Sequence, residues 1–135
     1  MKYEKDGLHA FKSLNPQQNG SLSIVILMVN RELIGTRDGG GFRSLCLGWH
    51  EKTGSYIISS ERCALKILGA KLFRDIYPCG MIKIEEKGLE NQRFSVKEKY
   101  AYCPFEYIYF VSTSSDIEGV NVYYVRKTIG KLLAE

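Results

Sequence analysis

Hydrophobic and polar positions fall in short blocks along the chain, and their spacing predicts a succession of short elements. Leu8, Phe11 and Leu14 recur at three-residue steps, which predicts a helix over residues 4–14. Asn15-Pro16 ends it, because the residue before a proline avoids the helical region. Ser21 to Val29 is a β-branched and aliphatic run, the pattern of a strand buried on both faces. Asn30-Arg31 reads as a turn into a second strand, Glu32 to Arg37, and Asp38-Gly39-Gly40-Gly41 then breaks the pattern.

Ser44 to Trp49 and Ser55 to Ser59 follow as strands, joined by a polar loop containing Gly54. Ser60 is the expected N-cap of a helix from Glu61 to Leu68, with Ala64, Leu65 and Leu68 apolar and Gly69 as the stop. Lys71 to Tyr77 and Met81 to Glu85 are strands around Pro78-Cys79-Gly80, and a weaker one covers Gln92 to Val96. Phe105 to Val111 is aromatic and β-prone, so it reads as a strand. Val120 to Leu133 closes the chain as an amphipathic helix with Val122, Val125, Ile129 and Leu132 on one side. The order predicts an α+β domain, largely antiparallel, with helices packed on sheet faces.

Composition narrows this picture without redrawing it. At 135 residues there is room for one domain and one core; 44% hydrophobic and 25% charged residues exclude global disorder. The longest apolar run, Ile24 to Val29, is six residues, too short to span a membrane as a helix. The start, Met1-Lys2-Tyr3-Glu4-Lys5-Asp6, has no apolar segment behind its charges, which predicts an intracellular, cytoplasmic chain with no secretory signal. The net charge of +4 is spread over both halves, so no basic stripe tracks a phosphate backbone and neither a nucleic acid nor a membrane is an expected partner.

Candidate chemistry is sparse. Cys46, Cys63, Cys79 and Cys103 are separated by 17, 16 and 24 positions, and neither His9 nor His50 stands at ligand spacing from one of them. No metal site is expected, and the cysteines read as four small buried hydrophobes. The two histidines, on a terminal helix and in the Trp49-His50-Glu51-Lys52 loop, offer no nucleophile–base–orienter set and read as surface or half-buried residues. Asp38 to Arg43 follows a strand but opens no helix and has no Lys-Ser/Thr pair. It therefore reads as a glycine turn in which Arg37 and Arg43 pair with Asp38 or a carbonyl. The cluster Tyr100, Tyr102, Phe105, Tyr107, Tyr109 and Phe110 has Glu106 in its midst and no interleaved basic residues. A packed strand or an interface is expected there rather than a base-stacking platform.

Several ordered motifs then resemble one family. Ser59-Ser60-Glu61-Arg62-Cys63-Ala64-Leu65, Gly69-Ala70 and Phe73-Arg74-Asp75-Ile76-Tyr77-Pro78 are similar to amidophosphoribosyltransferase, the glutamine phosphoribosylpyrophosphate amidotransferase that opens purine synthesis. Cys103-Pro104-Phe105-Glu106-Tyr107-Ile108-Tyr109-Phe110 resembles that family's Cys-x-Phe-Glu-Tyr-x-Tyr-Phe motif, and Asp116 to Tyr123, Val125-Arg126-Lys127 and Gly130 continue it. Upstream, Gly20 to Val29 and Leu33 to Gly48 match in order, so the resemblance covers about residues 20–135.

The resemblance implies the C-terminal half of a class II glutaminase, an N-terminal-nucleophile hydrolase domain with an αββα sandwich of largely antiparallel sheets and flanking helices. In that family the catalytic residue is a cysteine exposed as residue 1, whose α-amine is the base, and the glutamine-binding and oxyanion residues also precede the matched segment. Here the chain begins Met1-Lys2-Tyr3, so no family catalytic residue, cofactor-binding residue or metal ligand carries over to any position. Cys103 matches a family iron–sulfur ligand, but one cysteine cannot hold a cluster and it reads as a buried thiol. The family's Arg-Asp-Pro-x-Gly-x-Arg-Pro-Leu turn appears as Arg37 to Leu45 with both prolines replaced. Its Glu-Pro-Gly-Glu turn appears within Tyr77 to Met81, and its Ala-Arg-Pro-Asp-Ser as Val111 to Ser115.

The expected protein is therefore a truncated, glutaminase-like domain with no catalysis of its own and no cofactor. Two other readings stand beside it: one subunit of a split amidotransferase completed by a chain carrying the cysteine, and a regulatory module that binds a purine or related metabolite. Half a sandwich leaves strand edges and a sheet face without partners, so a homo-oligomer, a complementary amidotransferase chain or a rearrangement of its own helices is expected to cover them. Phe105, Tyr107 and Tyr109 are the candidate interface residues.

Overall fold

The computed structural model describes residues 20–93 and 101–135. The expected helix over 4–14, His9, Tyr100 and the last residues of the expected strand Gln92–Val96 lie outside them. The chain divides into two compact units, one from residues 1–42 and 76–101, the other from 43–75 and 102–135.

The described part of the first unit is one antiparallel sheet, in the order β1-β2-β6-β7: β1 (Ser23–Leu27), β2 (Leu33–Arg37), β6 (Gly80–Glu85) and β7 (Gly88–Arg93). Pairing of Val25 with Gly35 and of Gly35 with Ile82 fixes the register across its first three strands. Because side chains alternate along a strand, Ile24, Ile26, Ile34 and Met81 share one face, and Ile34 and Met81 form the core on it. The same face carries Lys83, 3.2 Å from Glu32 and 3.5 Å from Glu85. Hydrogen bonding to Glu32 raises the Lys83 pKa above its ordinary value.

β7 lies four residues earlier than the polar pattern predicts. The hairpin sets it: Glu85 pairs with Gly88, and Ile84 with Leu89, so the ladder starts directly after the turn at Glu86-Lys87. This strand is polar on both faces and gives no period-2 signal of its own.

The second unit holds a three-stranded antiparallel sheet, β4-β3-β5, built from β3 (Cys46–His50), β4 (Ser55–Ser59) and β5 (Lys71–Asp75). A helix, α1 (Arg62–Ile67), packs on it through Leu65. Gly48 makes that approach possible, since a Cβ there would meet the Leu65 side chain at 2.7 Å. Cys46, Leu65 and Ala70 form this core with Ile57 against it.

A two-residue hairpin, β8 (Asp116–Ile117) and β9 (Val120–Asn121), leads into the closing helix α2 (Val122–Ala134). Asn121 caps α2 by accepting from the Tyr124 amide at 3.3 Å. Of its expected apolar face, Val122 is fully buried, Val125 and Ile129 are half-buried, and Leu132 is 67% exposed. The helix outruns its core by its last turn.

The segment Phe105 to Val111 is not the expected strand. Residues Glu106–Phe110 form a π-helix, closed by the Val111 amide on the Glu106 carbonyl at 3.1 Å. Aromatic residues favour strands only where a neighbouring strand pairs with them, and here tertiary contacts decide instead. Among the described residues no helix is long and apolar enough to cross a membrane.

Candidate interaction site

Two polar constellations arise from motif residues, one in each unit. In the first, Arg37 is 1% exposed at the end of β2 and donates from Nη1 to the Ile76 carbonyl at 2.7 Å and from Nη2 to the Gly41 carbonyl at 2.9 Å. The Asp38 carboxylate turns back on its own loop and accepts from the amides of Gly40 (2.6 Å), Phe42 (3.2 Å) and Leu22 (3.4 Å). Its carbonyl takes the amides of Gly41 and Cys79. The turn has the converging amides of an anion site, but its own carboxylate is the anion. Arg37 pairs with carbonyls as expected, and Arg43 bonds Glu106.

The second constellation surrounds the aromatic π-helix. Glu106, a buried carboxylate, lies 2.6 Å from Arg43, whose guanidinium also stacks 4.5 Å from the Phe110 ring centre. The Glu106 hydrogen bond raises the Arg43 pKa further. Tyr107 points inward, packs on Val111, Ile117 and Val122, and donates its hydroxyl to the Ile117 carbonyl at 3.4 Å. Phe105 and Tyr109 point outward, half and 58% exposed, with rings edge to face at 5.7 Å. Phe110 stacks on Tyr109 at 4.4 Å and is also half exposed.

Of the three expected interface residues, two thus lie on one surface and Tyr107 belongs to the core. Phe110, part of the expected aromatic cluster but not one of those three, shares the outward surface. Its signal, a stacking cation, comes from Arg43, 67 positions away.

A partly buried polar cluster joins α1 to this turn. Ser60 is not the helix cap. Glu61 occupies the N-cap position, its amide bonded to the Ser59 hydroxyl at 3.3 Å, and the orphan amide of Cys63 is taken by Ser115 Oγ at 3.2 Å. Ser115 is completely buried. Glu61 Oε2 accepts from the Ser112 amide at 3.0 Å and from the Cys63 thiol at 3.1 Å. Arg62 is paired with Asp75 on β5, with Nε at 3.3 Å and Nη2 closer still, which raises the arginine's pKa.

Burial, assisted by the Asp75 charge, pushes the Cys46 thiol up to about 12, so at neutral pH it is protonated and donates to the Ser59 carbonyl at 3.3 Å. Cys46 and Cys79 are buried as expected, whereas Cys63 and Cys103 are half-buried free thiols. His50 is a surface residue bonded to Thr53. Among the described residues no group of three or more His, Cys, Asp or Glu could hold a metal ion.

Comparison with known proteins points the same way as the order of the motifs. Over 131 residues the chain is 39% identical to amidophosphoribosyltransferase of Archaeoglobus fulgidus, covering 97% of this chain and 28% of that protein. The chain is a relative of amidophosphoribosyltransferase. The enzymes of that name from Bacillus subtilis and Methanocaldococcus jannaschii are 35% and 37% identical over 91% and 96% of this chain. The chain spans only 27–30% of the length of these curated relatives.

Among solved structures, the B. subtilis glutamine phosphoribosylpyrophosphate amidotransferase complexed with ADP and GMP superposes with a TM-score of 0.85 at 33% identity, over 96% of this chain and 29% of that one. A structure described as the allosteric regulatory enzyme of purine biosynthesis matches with the same score and identity. No family model matches. The α+β class with antiparallel sheets, expected of an amidophosphoribosyltransferase glutaminase domain, is the architecture of these neighbours.

Proposed function

We propose that this chain is a glutaminase-like segment of the purine-biosynthetic amidophosphoribosyltransferase type that performs no glutamine chemistry alone and acts by binding. The observation that supports this reading is how the polar groups of its motifs are spent. Glu61, Arg62, Asp75, Glu106 and Asp38 are each engaged by another group of the chain, while Phe105, Tyr109 and Phe110 face outward. Charges so paired hold structure; they have no free acid or base to lend to a substrate.

Its partner is a second copy or a complementary amidotransferase chain. The second alternative, a subunit completed by a chain that carries the catalytic cysteine, draws support from α2. That helix leaves an apolar groove bare along Val120, Tyr124, Val125, Thr128 and Ile129.

The test is a glutaminase assay on the chain alone, joined to a pull-down from its own cells with bound proteins identified. No turnover alone, and either a self-oligomer or a stoichiometric amidotransferase chain in the pull-down, is the expected result. Glutamine hydrolysis by the isolated chain would overturn the non-catalytic reading.

A further inference from the structure

The two edge strands of the β1-β2-β6-β7 sheet are built unlike one another. In an antiparallel pair every second residue exchanges both main-chain bonds with its opposite number, and the residues between point theirs away. Two bonds fix which set is which along β1. The Asp38 amide donates to the Leu22 carbonyl at 2.7 Å, and the Met28 amide to the Glu32 carbonyl at 2.8 Å. Ile24 and Ile26 follow the same alternation opposite Thr36 and Ile34, so they bond to β2. Val25 and Leu27 direct their amides and carbonyls away from it, and among the described residues no strand pairs with them there. Their side chains stand on the face opposite the Ile34–Met81 core, 45% and 74% exposed.

Folded proteins guard such an edge with charge, proline or a bulge. β7, the strand at the far side of the sheet, carries Glu90 and Arg93 among polar residues. β1 has no such guard. From Ser21 to Val29 there is neither a charge nor a proline, and the ladder with β2 runs from Ser23 to Leu27 without a bulge.

We infer that β1 is an interface edge whose occupant is β1 of a second copy of this chain, paired antiparallel about a twofold axis at Ile26. This deepens the binding reading given above by naming its surface and its partner. A twofold at Ile26 sets Val25 opposite Leu27 of the second copy, and Leu27 opposite its Val25. Outward groups then meet outward groups, and the two pairs exchange four main-chain bonds. The exposed side chains of Val25 and Leu27 cover their counterparts on the solvent face, as apolar cross-strand pairs do. The strand that fits this edge must be uncharged and apolar where it meets those two residues, and β1 meets that requirement itself, with no like charges brought together. Five residues a side are fewer than the roughly 20–30 of a standard interface, so the pair is reversible and its population follows concentration.

The test uses the full chain in sedimentation velocity over about a hundredfold range of concentration, with amide hydrogen exchange read at both ends of that range. The Val25 and Leu27 amides are expected to exchange about tenfold more slowly at the high end, while those of Ile24 and Ile26, already bonded to β2, keep their rates. Val25→Lys with Leu27→Lys sets lysine against lysine in both pairs and is expected to leave a monomer at every concentration. Val25→Lys with Leu27→Glu sets lysine against glutamate and is expected to restore the dimer. Should the double-lysine chain fail to fold, Leu27→Pro removes an outward amide without taking a bond from β2, and is expected to abolish pairing in its place. Four results would each overturn the proposal: an unmodified chain that stays monomeric, a double-lysine or proline variant that still pairs, a lysine–glutamate variant that does not, or a different protein found protecting the Val25 and Leu27 amides. A monomer that hydrolyses no glutamine sinks the edge pairing and leaves the non-catalytic reading standing; a paired chain that hydrolyses glutamine does the reverse.

Discussion

The Asp38 turn and the aromatic turn are both short, motif-bearing loops rich in polar contacts, yet they are held in opposite ways. The Asp38 carboxylate is satisfied mainly by amides two and four residues away in its own loop, and the buried guanidinium beside it by backbone carbonyls. The aromatic turn depends on side-chain charges 15 to 63 positions distant: Arg126, Glu61 and Arg43. A loop closed on itself can be read from its own residues. A loop held by remote charges cannot, and its conformation is open to change from elsewhere in the chain.

The most severe way to break the contrast is to end the chain after Gly119. This removes α2, exposes the core around fully buried Val122, and strips the Tyr107 and Val111 carbonyls of Arg126. We expect a loss on the order of 5 kcal/mol, comparable with a small domain's whole stability. Urea unfolding of the shortened chain with an unchanged midpoint would contradict the packing assigned to that helix.

In the other region, Arg37→Met should cost about 3–5 kcal/mol, since two buried carbonyls lose their donor at once. A cost below 1 kcal/mol, measured the same way, would mean that these carbonyls find other partners.

A third effect is one of pH and belongs to the second unit. The Cys46 thiol has its folded pKa raised to about 12, above the ordinary value of 9.0. In the unfolded chain the thiol ionises near 9, so the folded state then holds the extra proton and stability falls as pH rises from about 9 towards 12. Below pH 9 this contribution is fully present. Cys46→Ala should remove that part of the alkaline slope in a stability–pH profile between 8 and 11. An identical slope in both proteins would place its origin elsewhere.

The smallest expected change is a gain. Glu118-Gly119 makes the β8-β9 turn with both residues at positive φ, 50° and 85°, a conformation suited to Asn-Gly. Glu118→Asn should stabilise the chain by about 0.5 kcal/mol, seen as a small rise in Tm. A fall in Tm would show that Glu118 contributes more through its side-chain interactions than its backbone costs.

The same division between local and remote explains what could be read in advance. The strand runs from Ile24 to Ile84, the Gly69 stop and the antiparallel α+β class are written in apolar spacing and turn residues, and they appear within a few positions of expectation. The Arg37 contact with Gly41 was legible because a glycine loop leaves carbonyls for an adjacent arginine, whereas its contact with Ile76, 39 positions away, was not. By contrast, Ser115 caps α1 from 52 positions away, and nothing near Ser60 signals that it will be passed over. Phe105 to Val111 has strand composition and becomes a π-helix because Glu61, Arg126 and Arg43 spend its backbone and side-chain partners. Leu132 fits the helical period, but the core beneath α2 ends before it.

The remote bonds to the aromatic turn also have a consequence in time. Glu61 reaches Ser112 across 51 residues, and Arg126 follows the two carbonyls it holds by 15 and 19 positions. During synthesis the aromatic segment therefore emerges well before the arginine that holds its carbonyls. Contacts of such long reach form late, after the hairpins of both sheets have had time to close. The mature arrangement of Phe105, Tyr109 and Phe110 is thus a finishing step, completed only when the closing helix docks.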